Sequence, residues 1–293
     1  EAALRMPRWC EVFYALQHSE VFTPATRLLL LASIPAHARY LQDSLVPNHN
    51  FATMQMNGLG TLAVAFPEFE QAEDWYRFAV AQVLTEMQAQ VYPDGVQKEL
   101  TSNYHWVALG NFQRLAGMIR AAGRELPESY DRSLIAMLEY IAGSVSAGGV
   151  MPVNNDSGVK YYHTRLLAAA DRHDRPDWRY IASRGEDGQR PADPPSRVFP
   201  WAGQMISRSG WDAQAQWSFF DVGPYGVSHQ HKDKLHLSIR AGDRHLLVDS
   251  GRFAYSGDLA VYRKDYGVRS RAHNVVLIDG CGQLSDSKEA EVP

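Results

Sequence analysis

The sequence predicts a multidomain α and β chain, with a helical domain over 1–183, a linker over 184–198 and an antiparallel β domain over 199–293. Three observations carry this. Apolar residues recur at helical spacing through the first two thirds and alternate at period two in the last third. Between these regions, Arg184 to Ser196 has the Pro, Gly and charge content of a connector.

Trp75, Phe78, Ala79, Val83 and Met87 fall on one helix face, and similar stripes run through 26–43, 53–66, 107–122, 130–146 and 161–171. Breaks fall at Phe66-Pro67, Tyr92-Pro-Asp-Gly95, Ala147-Gly-Gly149 and Gly158. Helices of this length with short breaks predict helical hairpins packed side by side. Beyond the linker, 217–222, 235–240, 245–249 and 274–278 read as strands, with turns at Ala241-Gly-Asp-Arg244 and Asp279-Gly280.

Composition narrows the function class. The 293 residues are 45% apolar and 21% charged, the balance of a folded chain and not of a disordered or collagen-like one. Only Cys10 and Cys281 are present, too few for a disulfide scaffold. A net charge of -4 argues against nucleic acid as a partner. The longest apolar run, 28–34, falls far short of the ~18 residues a membrane span needs, so no membrane partner is expected. The chain begins at Glu1 without Met, and its last strand pattern has no evident end before Pro293. The expectation is a processed protein or an excised segment lacking material at both ends, so a missing targeting signal says nothing of compartment.

Three segments carry candidate chemistry. In Ser228-His-Gln-His-Lys-Asp233, an extended backbone would put His229, His231 and Asp233 on one face, as metal ligands or as a polar surface strand. Asp249 ends an apolar run before Gly251, as a turn cap or a ligand, and His273 precedes the run 275–278. Polar residues fill 91–105 and end in Tyr104-His105, where a buried tyrosine with a satisfied hydroxyl is the plain alternative. Pro47-Asn-His-Asn-Phe51 precedes the helix bearing Gln55 and Asn57, and Asn48 or Asn50 suits its cap.

In their order and spacing these segments resemble the heparinase II/III family of polysaccharide lyases, with its alginate-lyase relatives. The resemblance runs through Asn50 to Leu59, then Gln90 to Gly95 with Glu99 and Tyr104-His105. It continues through Phe199 to Gly203 with Arg208 and Trp211, and ends in His229-Gln-His231, Asp249-Ser-Gly251 and Ala272-His-Asn274. It implies an incomplete (α/α) toroid followed by an antiparallel β-sandwich, with β-elimination on a heparan-sulfate-like, heparin-like or alginate-like polyuronate. It also implies a periplasmic or secreted location.

By the same resemblance Asn50, Tyr104, His105, His229 and Tyr266 are catalytic, with Tyr262 an alternative to Tyr266. His49, Gln55, Glu99, Arg263 and Arg269 would contact the anionic polysaccharide. A structural zinc would sit on His231, Asp249 and His273, tying three strands together, and no organic cofactor is implied. The stretch Tyr262 to Arg271, with four positive charges against one negative, would favour a polyanion. Alternatives are a glycoside hydrolase using a pair among Asp94, Glu99 and Asp156, and a glycan-binding module with Trp106, Trp201 and Trp211 as platforms.

Overall fold

The computed structural model describes residues 1–284. The chain divides into two compact units, Glu1–Gln90 with Val107–Leu134, and Val91–Trp106 with Ile135 onward. Eight helices precede the strands: α1 (Ala2–Leu16), α2 (Pro24–Asp43), α3 (Asn50–Ala65), α4 (Ala72–Gln90), α5 (Ser102–Ala121), α6 (Glu128–Ser144), α7 (His163–His173) and α8 (Pro176–Ala182).

Six of these lie where the apolar stripes predict them. The sequence reading missed α1 and α8. In α1, Pro7 sits inside the helix and masks the stripe of Ala2, Ala3, Met6 and Cys10 that faces the core. Proline has no N–H to give the carbonyl four residues back, here that of Ala3. At this same carbonyl α3 comes close, because a Cβ on Gly58 would lie 2.9 Å from the Ala3 oxygen. Gly58 therefore sets the spacing of α1 against α3. The core of this unit is apolar, with Met6, Ile34, Leu41, Met56, Leu59 and Phe112 almost wholly buried.

In the second unit, β1 (Arg197–Phe199), β2 (Gln204–Arg208), β3 (Trp217–Asp221), β4 (His236–Ala241) and β5 (Arg244–Leu247) form one antiparallel sheet in chain order. Its register pairs Gln204 with Asp221, Phe219 with Ser238 and Ile239 with Leu247. Alternate residues of β2, β3 and β4 are buried, as the period of a half-buried strand requires. This face meets the C-terminal half of α6, where Trp217 Nε1 donates to the Ser144 carbonyl (3.2 Å) and Arg208 to that of Gly143 (2.5 Å). Tyr140 donates to Gln204 Oε1 (2.8 Å).

The expected strand over 274–278 does not form; among the described residues it shows an isolated bridge from Ile278 to Cys281 and one backbone bond, from the Leu237 N–H to the Asn274 carbonyl (3.3 Å). The Asn274 amide instead donates to the Leu237 and Val248 carbonyls (3.0 and 2.9 Å), holding the segment across the ends of β4 and β5. Residues 285–293 of the expected β domain lie outside the described residues.

The loop before α5 depends on one glycine. Gly95 has φ +83°, and a Cβ there would lie 2.1 Å from the Ala136 carbonyl oxygen. Backbone cannot yield as a side chain tip can, so Gly95→Ala should destabilise the fold by about 3 kcal/mol or more, adding a backbone clash to the left-handed strain. A urea melt of the variant reads this directly. A midpoint unchanged from wild type would refute it.

Candidate active site and metal centre

The first turn of α5 presents Tyr104. Thr101 caps this helix, its hydroxyl accepting from the Tyr104 N–H (3.0 Å). The Tyr104 ring stacks on His229 at 3.6 Å between centroids and 13° between planes. His229 reaches it with φ +61°, so the backbone is not extended and the alternation expected for 229–233 does not arise. His229 Nδ1 lies 2.6 Å from Oε2 of Glu99, itself almost wholly buried. A carboxylate only accepts, so this bond places the neutral ring's proton on Nδ1 and leaves Nε2 as the basic nitrogen.

A relay runs from the other side of Tyr104. Its hydroxyl lies 2.8 Å from that of Tyr255, and Tyr255 donates to Asp156 Oδ2 (3.1 Å). A phenol has one proton. With that of Tyr255 directed to Asp156, the Tyr104 hydroxyl donates to the Tyr255 oxygen. Burial, then the bond to Tyr104 and the charge of Asp156, push the Tyr255 phenol far above its ordinary range, so it stays protonated. Asp156 is fully buried and also takes Arg263 in a two-pronged pair (2.7 and 2.5 Å) and His231 Nε2 (3.0 Å). Burial raises the Asp156 pKa, but the bonds from His231 and Arg263 outweigh it and hold the group at about 2.

His231, Asp249 and His273 form a second, buried group whose ligand atoms all lie within 4.8 Å of one another. His231 Nδ1 and His273 Nε2 are buried without a hydrogen-bond partner. Two orphaned imidazole nitrogens beside a buried carboxylate, which His273 Nδ1 meets at 3.0 Å, suit a divalent ion, since leaving them bare costs free energy. The bond to Asp156 puts the His231 proton on Nε2 and frees Nδ1 for a metal. Asp249 Oδ1 also accepts from the Gly251 N–H (2.7 Å), so the turn cap is realised as well. The three residues sit in the loop before β4, after β5 and after the short helical turn Ser270–Ala272. An ion here would tie loops together, not the three strands expected.

Other expected site residues fall elsewhere. His105 is fully buried, with Nε2 on the Met137 carbonyl (3.0 Å) and Nδ1 accepting from the Gln97 N–H (3.3 Å). Both nitrogens are occupied by backbone, so it has no donor to offer a substrate. Neither Tyr262 nor Tyr266 reaches Tyr104. Tyr262 stacks on Phe253 and Tyr266 donates to the Arg271 carbonyl, while Tyr255 takes the place the sequence reading gave them. Nothing in the spacing marked Tyr255. Glu99 holds His229 and Arg263 holds Asp156, whereas Arg269 is exposed.

In the first unit, the helix cap is His49 and not an asparagine; its Nδ1 accepts from the Phe51 N–H (3.2 Å). Gln55 closes the preceding loop through Ser44 and Val46. Asn50 is the buried first residue of α3. Its turn is pinned to α4 by Glu86, which accepts from the Asn48 N–H (2.9 Å), and by Gln90, which donates to the His49 carbonyl (3.0 Å).

Burial pushes the His105 pKa down to about 4, opposed by its bond to Met137. The folded value is depressed below the ordinary ~6.5, so its contribution to stability is whole above pH ~6.5 and falls as pH drops towards 4. The loss is on the order of 3 kcal/mol. Chemical melts between pH 7 and 4 should show this slope, and His105→Gln should flatten it. An equal slope in both proteins rejects the assignment.

Comparison with known proteins finds relatives along most of the chain. Residues 1–169 match the heparinase II/III N-terminus and residues 191–292 the heparinase II/III-like C-terminal domain. A heparin-sulfate lyase of Pedobacter heparinus is 27% identical over 282 residues, covering 91% of this chain and 41% of that protein. One from Bacteroides stercoris is 23% identical over 292 residues, with 95% and 43% covered. Among solved structures, a heparinase III aligns with TM-score 0.84 at 22% identity over 98% of this chain and 45% of its own. The heparan sulfate lyase HepC of Pedobacter heparinus aligns with TM-score 0.77 at 26% identity, over 95% and 45%. The chain thus spans less than half the length of these relatives. With both family domains matched in order along it, the chain belongs to the heparinase II/III family.

Proposed function

We propose that the protein is a polysaccharide lyase that cleaves a uronic-acid-containing, heparan-sulfate-like polymer by β-elimination. The observation that carries this is the Tyr104 hydroxyl, bonded to Tyr255 and stacked on a histidine whose proton is held on Nδ1 by Glu99. Elimination needs a base for the proton at C5 and an acid for the departing O4. The Tyr104 hydroxyl carries a proton it can give to O4, and the Nε2 of His229, left without one by the bond at Nδ1, can accept the proton from C5. The geometry therefore favours His229 Nε2 as base and Tyr104 as acid. Tyr255 and Asp156 orient the Tyr104 proton. Negative charge grows on the uronate carboxylate as C5–H breaks, so a hydrogen-bond donor must meet it there.

Zinc is the proposed ion on His231, Asp249 and His273. Bound there it would supply rigidity, orienting the His229 loop through its neighbour His231. The names of the relatives favour heparan sulfate over alginate. The three carboxylates from which a hydrolase would draw its pair are otherwise engaged. Asp94 accepts from the Trp201 and Ala202 N–H groups, Glu99 from His229, and Asp156 from His231, Tyr255 and Arg263.

The helices before residue 183 support an incomplete (α/α) toroid, and the antiparallel strands support one sheet of a β-sandwich. The connector at 184–198 accords with family matches that end at 169 and resume at 191. Among the described residues no helix is long and apolar enough to cross a membrane. A periplasmic or secreted location follows from a substrate that lies outside the cell. The test is ultraviolet absorbance of the unsaturated product beside a reducing-end assay on heparan sulfate. A lyase raises both, a hydrolase only the second, and a binding module neither.

A further inference from the structure

Lys160, Arg165 and Arg252 flank the tyrosine pair, with no acidic partner among the described residues. Lys160 Nζ donates to Oδ1 of Asn103, the residue before Tyr104. Ser157 fastens that helical turn to the loop carrying Arg252, since its Oγ accepts from the Asn103 N–H (3.2 Å) and its carbonyl from the Arg252 N–H (3.0 Å). The Arg252 guanidinium lies 4.9 Å from the centre of the Tyr255 ring, and that of Arg165 lies 4.5 Å from Trp106, two residues after Tyr104. Among the described residues, none of the three cations forms an ion pair with a carboxylate. Burial, then the positive charges of Arg252 and Arg165, hold Lys160 below its ordinary pKa.

Gathering like charges without a counterion raises the free energy of the empty protein. A bound anion would remove that cost. Other exposed arginines on this chain do pair with acids, such as Arg124 with Glu73 and Arg120 with Asp131. Arg165 over the Trp106 face adds an apolar plane beside a cation, a surface suited to a sugar ring bearing an acidic group.

We propose that Lys160, Arg165 and Arg252 form a subsite for an anionic substituent, a sulfate ester or a carboxylate, on a sugar next to the one bonded at Tyr104. The subsite deepens the lyase reading and rests on it for the identity of the polymer. Of the two sources, it selects sulfate when binding falls only for sulfated chains, and carboxylate when it falls equally for unsulfated ones.

The experiment measures binding in the Tyr104→Phe background, where the oligosaccharide stays intact. A sulfated heparan hexasaccharide and its desulfated counterpart are titrated by calorimetry into protein with and without Lys160→Gln, Arg165→Gln and Arg252→Gln. Removing all three charges is expected to weaken binding of at least the sulfated ligand about tenfold, at a few-fold per exposed ion pair. The charge-keeping set Lys160→Arg, Arg165→Lys and Arg252→Lys should restore most of it. Arg165→Gln alone, on an exposed side chain, gives a reading free of folding effects. Unchanged affinity for both ligands overturns the subsite. Binding that depends on the three cations in a protein whose wild type yields no unsaturated product would instead keep the subsite and sink the lyase reading.

Discussion

Replacing Tyr104 by Phe is expected to cut turnover on heparan sulfate about 10²–10⁴-fold while leaving the melting temperature nearly unchanged. That range is what a positioned general acid ordinarily contributes. Only the hydroxyl is lost. The ring keeps its stack on His229, and Thr101 still caps the helix through the backbone N–H of residue 104. Tyr255→Phe removes the next link and should cost less, because Tyr104 keeps its proton but loses the acceptor that aims it. The two variants also separate the roles by substrate. A polymer carrying a better leaving group at O4 needs less protonation, so it should recover turnover in Tyr104→Phe more than in a variant lacking the base. Wild-type rates in Tyr104→Phe would remove this residue from the reaction.

His229 and His231, two residues apart, should fail in different ways. His229→Ala is expected to lose activity by about 10²-fold or more and to retain its metal, with a smaller drop in its melt than His231→Ala, since His229 is half-buried but its partner Glu99 is almost wholly buried. His231→Ala should lose the metal and about 3–5 kcal/mol of stability, roughly 10 °C of melting temperature for a unit of this size. It strips a fully buried imidazole from both Asp156 and the metal group. Chelation supplies the cross-check. A strong chelator should lower the wild-type melt towards that of His231→Ala and leave the variant unmoved. Equal metal content in the two variants, measured by atomic absorption, would show the division of labour to be misassigned.

Much of this protein was legible in the sequence because its signals are local. Helical stripes gave six helices, since each stripe records burial on one face of a 3.6-residue period. The stripe of α1 was hidden by Pro7, whose cost depends on whether a neighbouring helix can meet the carbonyl it leaves without a partner. The pairing of 274–278 failed for the opposite reason. Its apolar alternation is a strand signal, but the Asn274 amide fixes it across the ends of β4 and β5 without a ladder.

By local patterning alone the sequence placed six helices and the three strands β3, β4 and β5, but not α1, α8, β1 or β2. It also determined the His231, Asp249 and His273 group, because the ordered motifs are written along the chain. Only the tertiary structure decided which side chains meet. It set Tyr255 on Tyr104 across 151 residues and closed both nitrogens of His105 on backbone. It also turned Glu99 and Arg263 from expected substrate contacts into the partners that hold His229 and Asp156. The physical reason is that a hydrogen bond between distant residues depends on loop conformations such as the φ of +61° at His229. No local spacing encodes these, because the folded core fixes them by outweighing the strain.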